Sequence, residues 1–180
     1  MLKLEEVLQV KRLLTAAAAA VVLALGQGSA TAAGGGATIE TFPVSFVLSS
    51  ATCSNLPPGT TTNGSGTEKS ITTTKTDRNG VTKIVNSTHA HGTATDQDGN
   101  TYVFQYSNEF RVSNTAADQS LFSGLMTDHF SLAGNGPARL VNGFMAVFTT
   151  DFGSFFSFQP IRAQGDPISF PDGTAHCDPL

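Results

Sequence analysis

The sequence predicts an all-β, antiparallel meander of about eight strands, curled into a small closed barrel or, as the alternative, folded into a two-sheet β-sandwich. Three observations carry that expectation. Runs rich in Phe, Val, Ile, Tyr and Thr alternate with short clusters of Gly, Asn, Asp and Pro. Nothing after residue 33 shows the 3.6-residue apolar repeat of an amphipathic helix. Two tetrapeptides, Asp77-Arg78-Asn79-Gly80 and Asp96-Gln97-Asp98-Gly99, share a form that closes a tight hairpin.

The chain opens with Lys11 and Arg12, an apolar run of 13 residues from Leu13 to Leu25, and small residues at Ala30, Thr31, Ala32 and Ala33. That order reads as a cleavable secretory signal over 1–33. The apolar run is too short for a membrane span, which takes about 20 residues, so no span is expected. Glu5 and Glu6 are foreign to a positive n-region and place the functional start nearer Val10. No Cys follows the apolar run to accept a lipid, so a secreted, extracellular protein is expected rather than an anchored one. Residues 34–38 form a Gly/Ala leader, and 39–180 are expected to form a single β domain, a length that suits one core.

Of the ten basic and fourteen acidic residues, three basic and two acidic ones lie in the signal, which leaves seven against twelve and a net charge of −5. An acidic surface argues against nucleic acid and against anionic membranes as partners. The chain has two cysteines, Cys53 and Cys177. Export into an oxidising compartment makes a Cys53 to Cys177 disulfide the expected pairing.

The expected strands are 41–50, 68–76, 81–95, 101–112, 120–133, 138–151, 155–161 and a short one near 168–170. Residues 55–66, rich in Pro, Gly, Thr and Asn, read as a flexible loop. Thirteen Phe against two Tyr and no Trp supply the core. Phe42 and Phe46, then Phe104, Phe110, Phe122 and Phe130, then Phe144, Phe148 and Phe152 recur at even spacings, which places each set on one face of its strand.

A three-residue loop at Asp96 to Gly99 fixes a register in which paired positions sum to 196. Ala94, Gly92 and Ala90 then face Tyr102, Phe104 and Tyr106, small residues opposite aromatic ones. The other face carries His89 opposite Ser107 and His91 opposite Gln105. Those imidazoles stand about 7 Å apart on one face and could share a metal such as zinc with a third ligand from His129, Glu109 or His176. An H-x-H pair resembles that of the cupin barrels, yet Ala94 and Thr95 occupy the region where those carry a Glu. The competing reading is an exposed polar pair.

Asp128 shares the face of Phe122, Met126, Phe130 and Leu132. A carboxylate there must be paired or have a raised pKa, which is how general acids and bases are made. Asp128 with Tyr106 or Asn142 is therefore the candidate catalytic set, against a structural reading in which Asp128 bonds Asn142, Arg139 or a backbone amide. Asp96, Asp98 and Asn100 imitate a calcium loop but are explained by the turn. Asn63 and Asn86 begin glycosylation-type triplets, and no G-x-S-x-G nucleophile signature is present.

The stretches HAHGTATDQDGNTYVFQYSN at 89–108 and MTDHFSLAGNGPARLVNGFMAVFTTDF at 126–152, with the terminal HCDPL, resemble uncharacterised exported proteins of actinobacterial type. That resemblance implies export and carries no activity or site residues. In architecture alone the pattern is also similar to small secreted barrels such as the dirigent and allene oxide cyclase proteins. Together these readings lead to a monomeric, non-catalytic extracellular domain, without a cofactor, that binds a small apolar ligand or a cell-surface component. The alternatives are an isomerase- or cyclase-like lumen using Asp128 and a metal-dependent protein using His89 and His91.

Overall fold

A computed structural model of the protein describes residues 36–165, 168–169 and 176–177. The expected signal, 1–33, lies outside the described residues. Nine strands follow in order: β1 Ala37–Ser49, β2 Thr61–Thr76, β3 Thr82–Asp96, β4 Thr101–Ser113, β5 Phe122–Gly134, β6 Leu140–Thr150, β7 Phe155–Gln164, β8 Ile168–Ser169 and β9 His176–Cys177. The first seven make one antiparallel sheet in sequence order, and β8 pairs with β9 in a separate ribbon.

Turn chemistry sets the register. Gly80 and Gly99 adopt φ of 82° and 81°, the left-handed region that a glycine enters without penalty. Asp77 Oδ1 accepts from the Asn79 and Val81 amides at 2.8 and 3.0 Å, and Asp96 Oδ1 from the Asp98 and Asn100 amides at 3.0 and 2.9 Å. The β3–β4 register is the expected one, with Ala94, Gly92 and Ala90 opposite Tyr102, Phe104 and Tyr106. From β1 to β6 paired positions always sum to an even number. Even-numbered side chains therefore share one face and odd-numbered ones the other.

The even face is concave. Phe46 on β1 packs edge-on against Phe104 on β4 and Phe130 on β5, with ring centroids 4.9 and 5.7 Å away. Four strand spacings of about 4.8 Å would hold β1 and β5 roughly 19 Å apart in a flat sheet, so this sheet coils over its even face. Gly92 permits the coil, because a Cβ there would strike the Ser65 carbonyl, Gly66 Cα at 2.6 Å and the Phe104 ring at 2.7 Å. Gly92→Ala is expected to cost about 2 kcal/mol, read by urea unfolding. An unchanged midpoint would show that β2 and β3 can separate at no cost.

Two expectations need correction. The barrel does not close: among the described residues β1 and β7 are the free edges of one open sheet, and neither a closed barrel nor a two-sheet sandwich forms. Pro43 in β1 and Pro160 in β7 lack amide donors, and bulges at Met145/Ala146 and Thr149/Thr150 disturb the β6–β7 pairing. The expected Cys53–Cys177 disulfide forms, with Cα atoms 4.6 Å apart, and ties the β1–β2 loop to β9. Second, β2 starts at Thr61 inside the stretch expected to be a flexible loop, because Gly64 and Gly66 lie beneath the Phe46 and Phe104 rings.

Two apolar clusters occupy the concave face. One holds Phe46, Leu48, Tyr102, Phe104, Phe130 and Leu132 with both half-cystines, and the other Ile84, Phe110, Val112, Met126 and Phe148. The even spacing of the phenylalanines placed them there. Between the clusters runs a polar belt.

Candidate functional site

Register builds the belt. Ser70, Thr88, Asn108 and Asp128 form one row across β2 to β5, and Phe144 on β6 completes it. The neighbouring row runs Glu68, Ala90, Tyr106, Phe130 and Asn142. Ser70, Asn86, Thr88, Asn108 and Asp128 are all buried. Polar groups removed from water need partners, and most here find one another. Asn86 Nδ2 donates to Ser70 Oγ at 2.9 Å and Thr72 Oγ1 at 2.8 Å, and Thr88 Oγ1 lies 3.0 Å from Asn86 Oδ1. Asn86 is thereby unavailable as a glycosylation acceptor in the folded chain, whereas Asn63 is exposed.

Asp128 is the exception. Its Oδ2 accepts from Tyr106 Oη at 2.7 Å and Asn108 Nδ2 at 3.0 Å, while its Oδ1 is buried with no hydrogen-bond partner. The residue is 8% exposed. Burial pushes the Asp128 carboxyl up to about 6, against the pull of the Asn108 and Tyr106 hydrogen bonds and the nearby His129. Burial also raises the Tyr106 phenol well above its ordinary range, and the Asp128 and Glu68 charges add to the rise. Glu68, half-buried, is raised by burial as well. Tyr106 thus stays a protonated donor at any ordinary pH, while Asp128 lies near its own midpoint at pH 6.

Of the expected catalytic set, Asp128 and Tyr106 come together and Asn142 does not join them. Asn142 is buried at the disulfide end, where its Oδ1 accepts from Asn55 Nδ2 at 2.8 Å and its Nδ2 approaches Cys177 Sγ at 3.7 Å. Arg139 is exposed ahead of β6 and does not bond Asp128. Asn108 takes the place expected of Asn142. Two signals pointed to residues that sequence reasoning passed over: Asn108 lies two positions from Tyr106 on the same face, and the hairpin at Asp77 sets Glu68 opposite Ala90.

His89, His91 and His129 occupy the convex face. His89, Ser107 and His129 form one row across β3, β4 and β5, all at odd positions, and His89 Nε2 lies 3.2 Å from Ser87 Oγ. His91 and His129 border the same shallow depression as His89, with Val103 and Gln105. Two strand spacings, about 10 Å, separate the backbones of His89 and His129. Among the described residues no group of three or more His, Cys, Asp or Glu is placed to hold a metal. Glu109, the other expected ligand, pairs with Arg111 at 2.7 Å, and the side chain of His176 is outside what is described.

A charge asymmetry separates the faces. Every Lys and Arg of β1 to β6, namely Lys69, Lys75, Lys83 and Arg111, stands at an odd position on the convex side. Asp128 and Glu68 stand on the concave side without a basic neighbour on those strands. No helix of the described residues is long and apolar enough to cross a membrane. Compared with protein-family models, with curated proteins and with solved structures, the chain matches none.

Proposed function

We propose that this is an exported binding domain whose concave face holds a small, largely apolar ligand, anchored through Asp128. One observation carries the reading: Asp128 Oδ1 is buried, unpartnered and directed into a face whose other polar groups are mostly satisfied among themselves. A buried acceptor left without a donor costs about 1 to 3 kcal/mol, and a ligand donor recovers that cost. Aromatic walls stand beside it. Tyr106, Phe144 and Phe158 are half-buried on the concave side, and the Phe144 and Phe158 rings meet edge-on at 5.7 Å. The disulfide and the predicted signal fit an oxidising, extracellular site of action.

Titration with 2-phenylethanol, followed by NMR, tests the reading. The Met126 methyl and the Tyr106 and Phe144 ring signals are expected to shift in a saturable way, while the His89 and His91 imidazole signals stay in place. Shifts confined to the convex face would refute it.

A second reading is favoured by the Asp128 carboxyl at about 6, a value that lets one group take and return a proton near neutral pH. In that reading Asp128 is the acid/base of an isomerase- or cyclase-like proton transfer and Tyr106 donates a fixed hydrogen bond to it. Turnover abolished by Asp128→Asn with binding intact would select this reading over simple binding.

A further inference from the structure

Among the described residues of β1 to β6, the concave face carries the Asp128 and Glu68 carboxyls and no Lys or Arg. Asp128 Oδ1 has no donor, Oδ2 already accepts two, and the charge of Glu68 reaches the same Tyr106 hydroxyl that bonds Asp128. The basic side chains of β1 to β6 all point the other way. A buried carboxylate without a counter-charge is unfavourable, and a cation seated on this face would offset it.

We propose that the ligand of the concave face is a protonated amine on an apolar body, its ammonium seated against Asp128 Oδ1 and its body against Phe144 and Phe158. The inference rests on the binding reading above and narrows it to one chemistry. An ammonium brings three N–H donors and a positive charge, so it satisfies Oδ1 and offsets both carboxylates at once. Phe144 pairs directly with Asp128 across β5 and β6, and Tyr106 lies one row away, so aromatic faces adjoin the cation. A neutral alcohol would fill the vacant acceptor but leave the charge unbalanced. A carboxylic acid would be repelled. A divalent cation takes six or more oxygen ligands when it is calcium, and the face offers two carboxyl groups.

Isothermal titration of the secreted protein with 2-phenylethylammonium, 2-phenylethanol and 3-phenylpropionate at pH 7.5 tests this. The ammonium ion is expected to bind at least about tenfold more tightly than the alcohol, and the propionate most weakly. Asp128→Asn should remove that preference by lowering ammonium affinity about tenfold, and Glu68→Gln should reduce it about threefold. His89→Ala on the convex face should change neither. Equal affinity for ammonium ion and alcohol, or ammonium binding that survives Asp128→Asn, would overturn the proposal and leave the apolar binding site standing. Binding of none of the three compounds would overturn both readings. If Asp128→Asn does not fold, the wild-type ammonium-to-alcohol ratio and the Glu68→Gln variant decide the question.

Discussion

Replacing Cys53 and Cys177 together by alanine is expected to lower the unfolding free energy by about 4 to 5 kcal/mol. The bond spans a sequence separation of 124, so in the denatured chain it holds together ends that would otherwise explore a large volume. The entropy of closing a loop grows only with the logarithm of its length, yet for a loop of this size it still amounts to that much. Local packing adds to the loss, since Cys53 and Cys177 are 0% and 5% exposed and belong to the larger apolar cluster. The bond also holds β9 in place, where the Cys177 amide donates to the Thr52 carbonyl at 3.2 Å. Urea unfolding should show a lower midpoint and a steeper denaturant slope, because the uncrosslinked chain exposes more surface. Hydrogen exchange in the variant should find faster exchange at the amide of position 177 in the native state while β3, β4 and β5 stay protected. A loss below about 1 kcal/mol would mean that the ends remain together in the denatured chain without the bond.

Local chemistry was the legible part of this fold. Asp at the first turn position and Gly at the last specified both hairpins, and one hairpin fixed the β3–β4 register residue by residue. Parity then carried far: phenylalanines at even positions on β1, β4, β5 and β6 could only share a face once each register summed to an even number. Non-local geometry was less legible. The start of β2 hid in Thr-Asn-Gly-Ser-Gly because propensity penalises glycine in a strand, whereas here Gly64 admits the ring of Phe46 from the opposing strand. Closure of the meander would need β7 to pair with β1. The chain instead adds the small β8–β9 ribbon beyond β7, and the disulfide attaches to that ribbon.

The site divided in the same way. Asp128 stood out because a charge interrupted an apolar alternation, and Tyr106 because the hairpin register turned it inward. Asn108 and Asn142 could not be told apart in advance. The loop from residue 114 to 121 is too long to specify how β4 meets β5, and only that pairing puts Asn108 directly opposite Asp128. Asn142 falls one row away and is taken up by Asn55.

Asp128→Asn should remove the larger part of the pH dependence of stability in the window where the parent protein loses it. The folded carboxyl titrates at about 6, and an unfolded Asp at about 3.9. Below pH 4 both states hold the proton and the folded state is not penalised. As the pH rises from 4 to 6 the unfolded chain releases its proton first, so folding weakens, and above 6 the full difference of about two pK units is lost, roughly 3 kcal/mol. Glu68, also raised by burial, acts in the same direction. Asp96 and Asp118 act in the opposite one: their carboxyls are held low, Asp96 by hydrogen bonds from Asn100, Tyr102 and two backbone amides that outweigh its burial, Asp118 chiefly by Ser120. The stability they contribute disappears only as pH falls through their lowered values, at the acid side of the Asp128 window. Comparing parent and variant at each pH cancels those terms. An asparagine accepts the Tyr106 bond through its own oxygen and turns its amide toward the position of Oδ1, an unpartnered donor that costs about 1 kcal/mol. The variant should therefore be the more stable protein at pH 8 by about 2 kcal/mol and the less stable one at pH 4 by about 1 kcal/mol. Parallel stability curves from pH 4 to 8 would mean that Asp128 titrates as a solvated carboxyl, and the reason for a ligand to seek out Oδ1 would go with it.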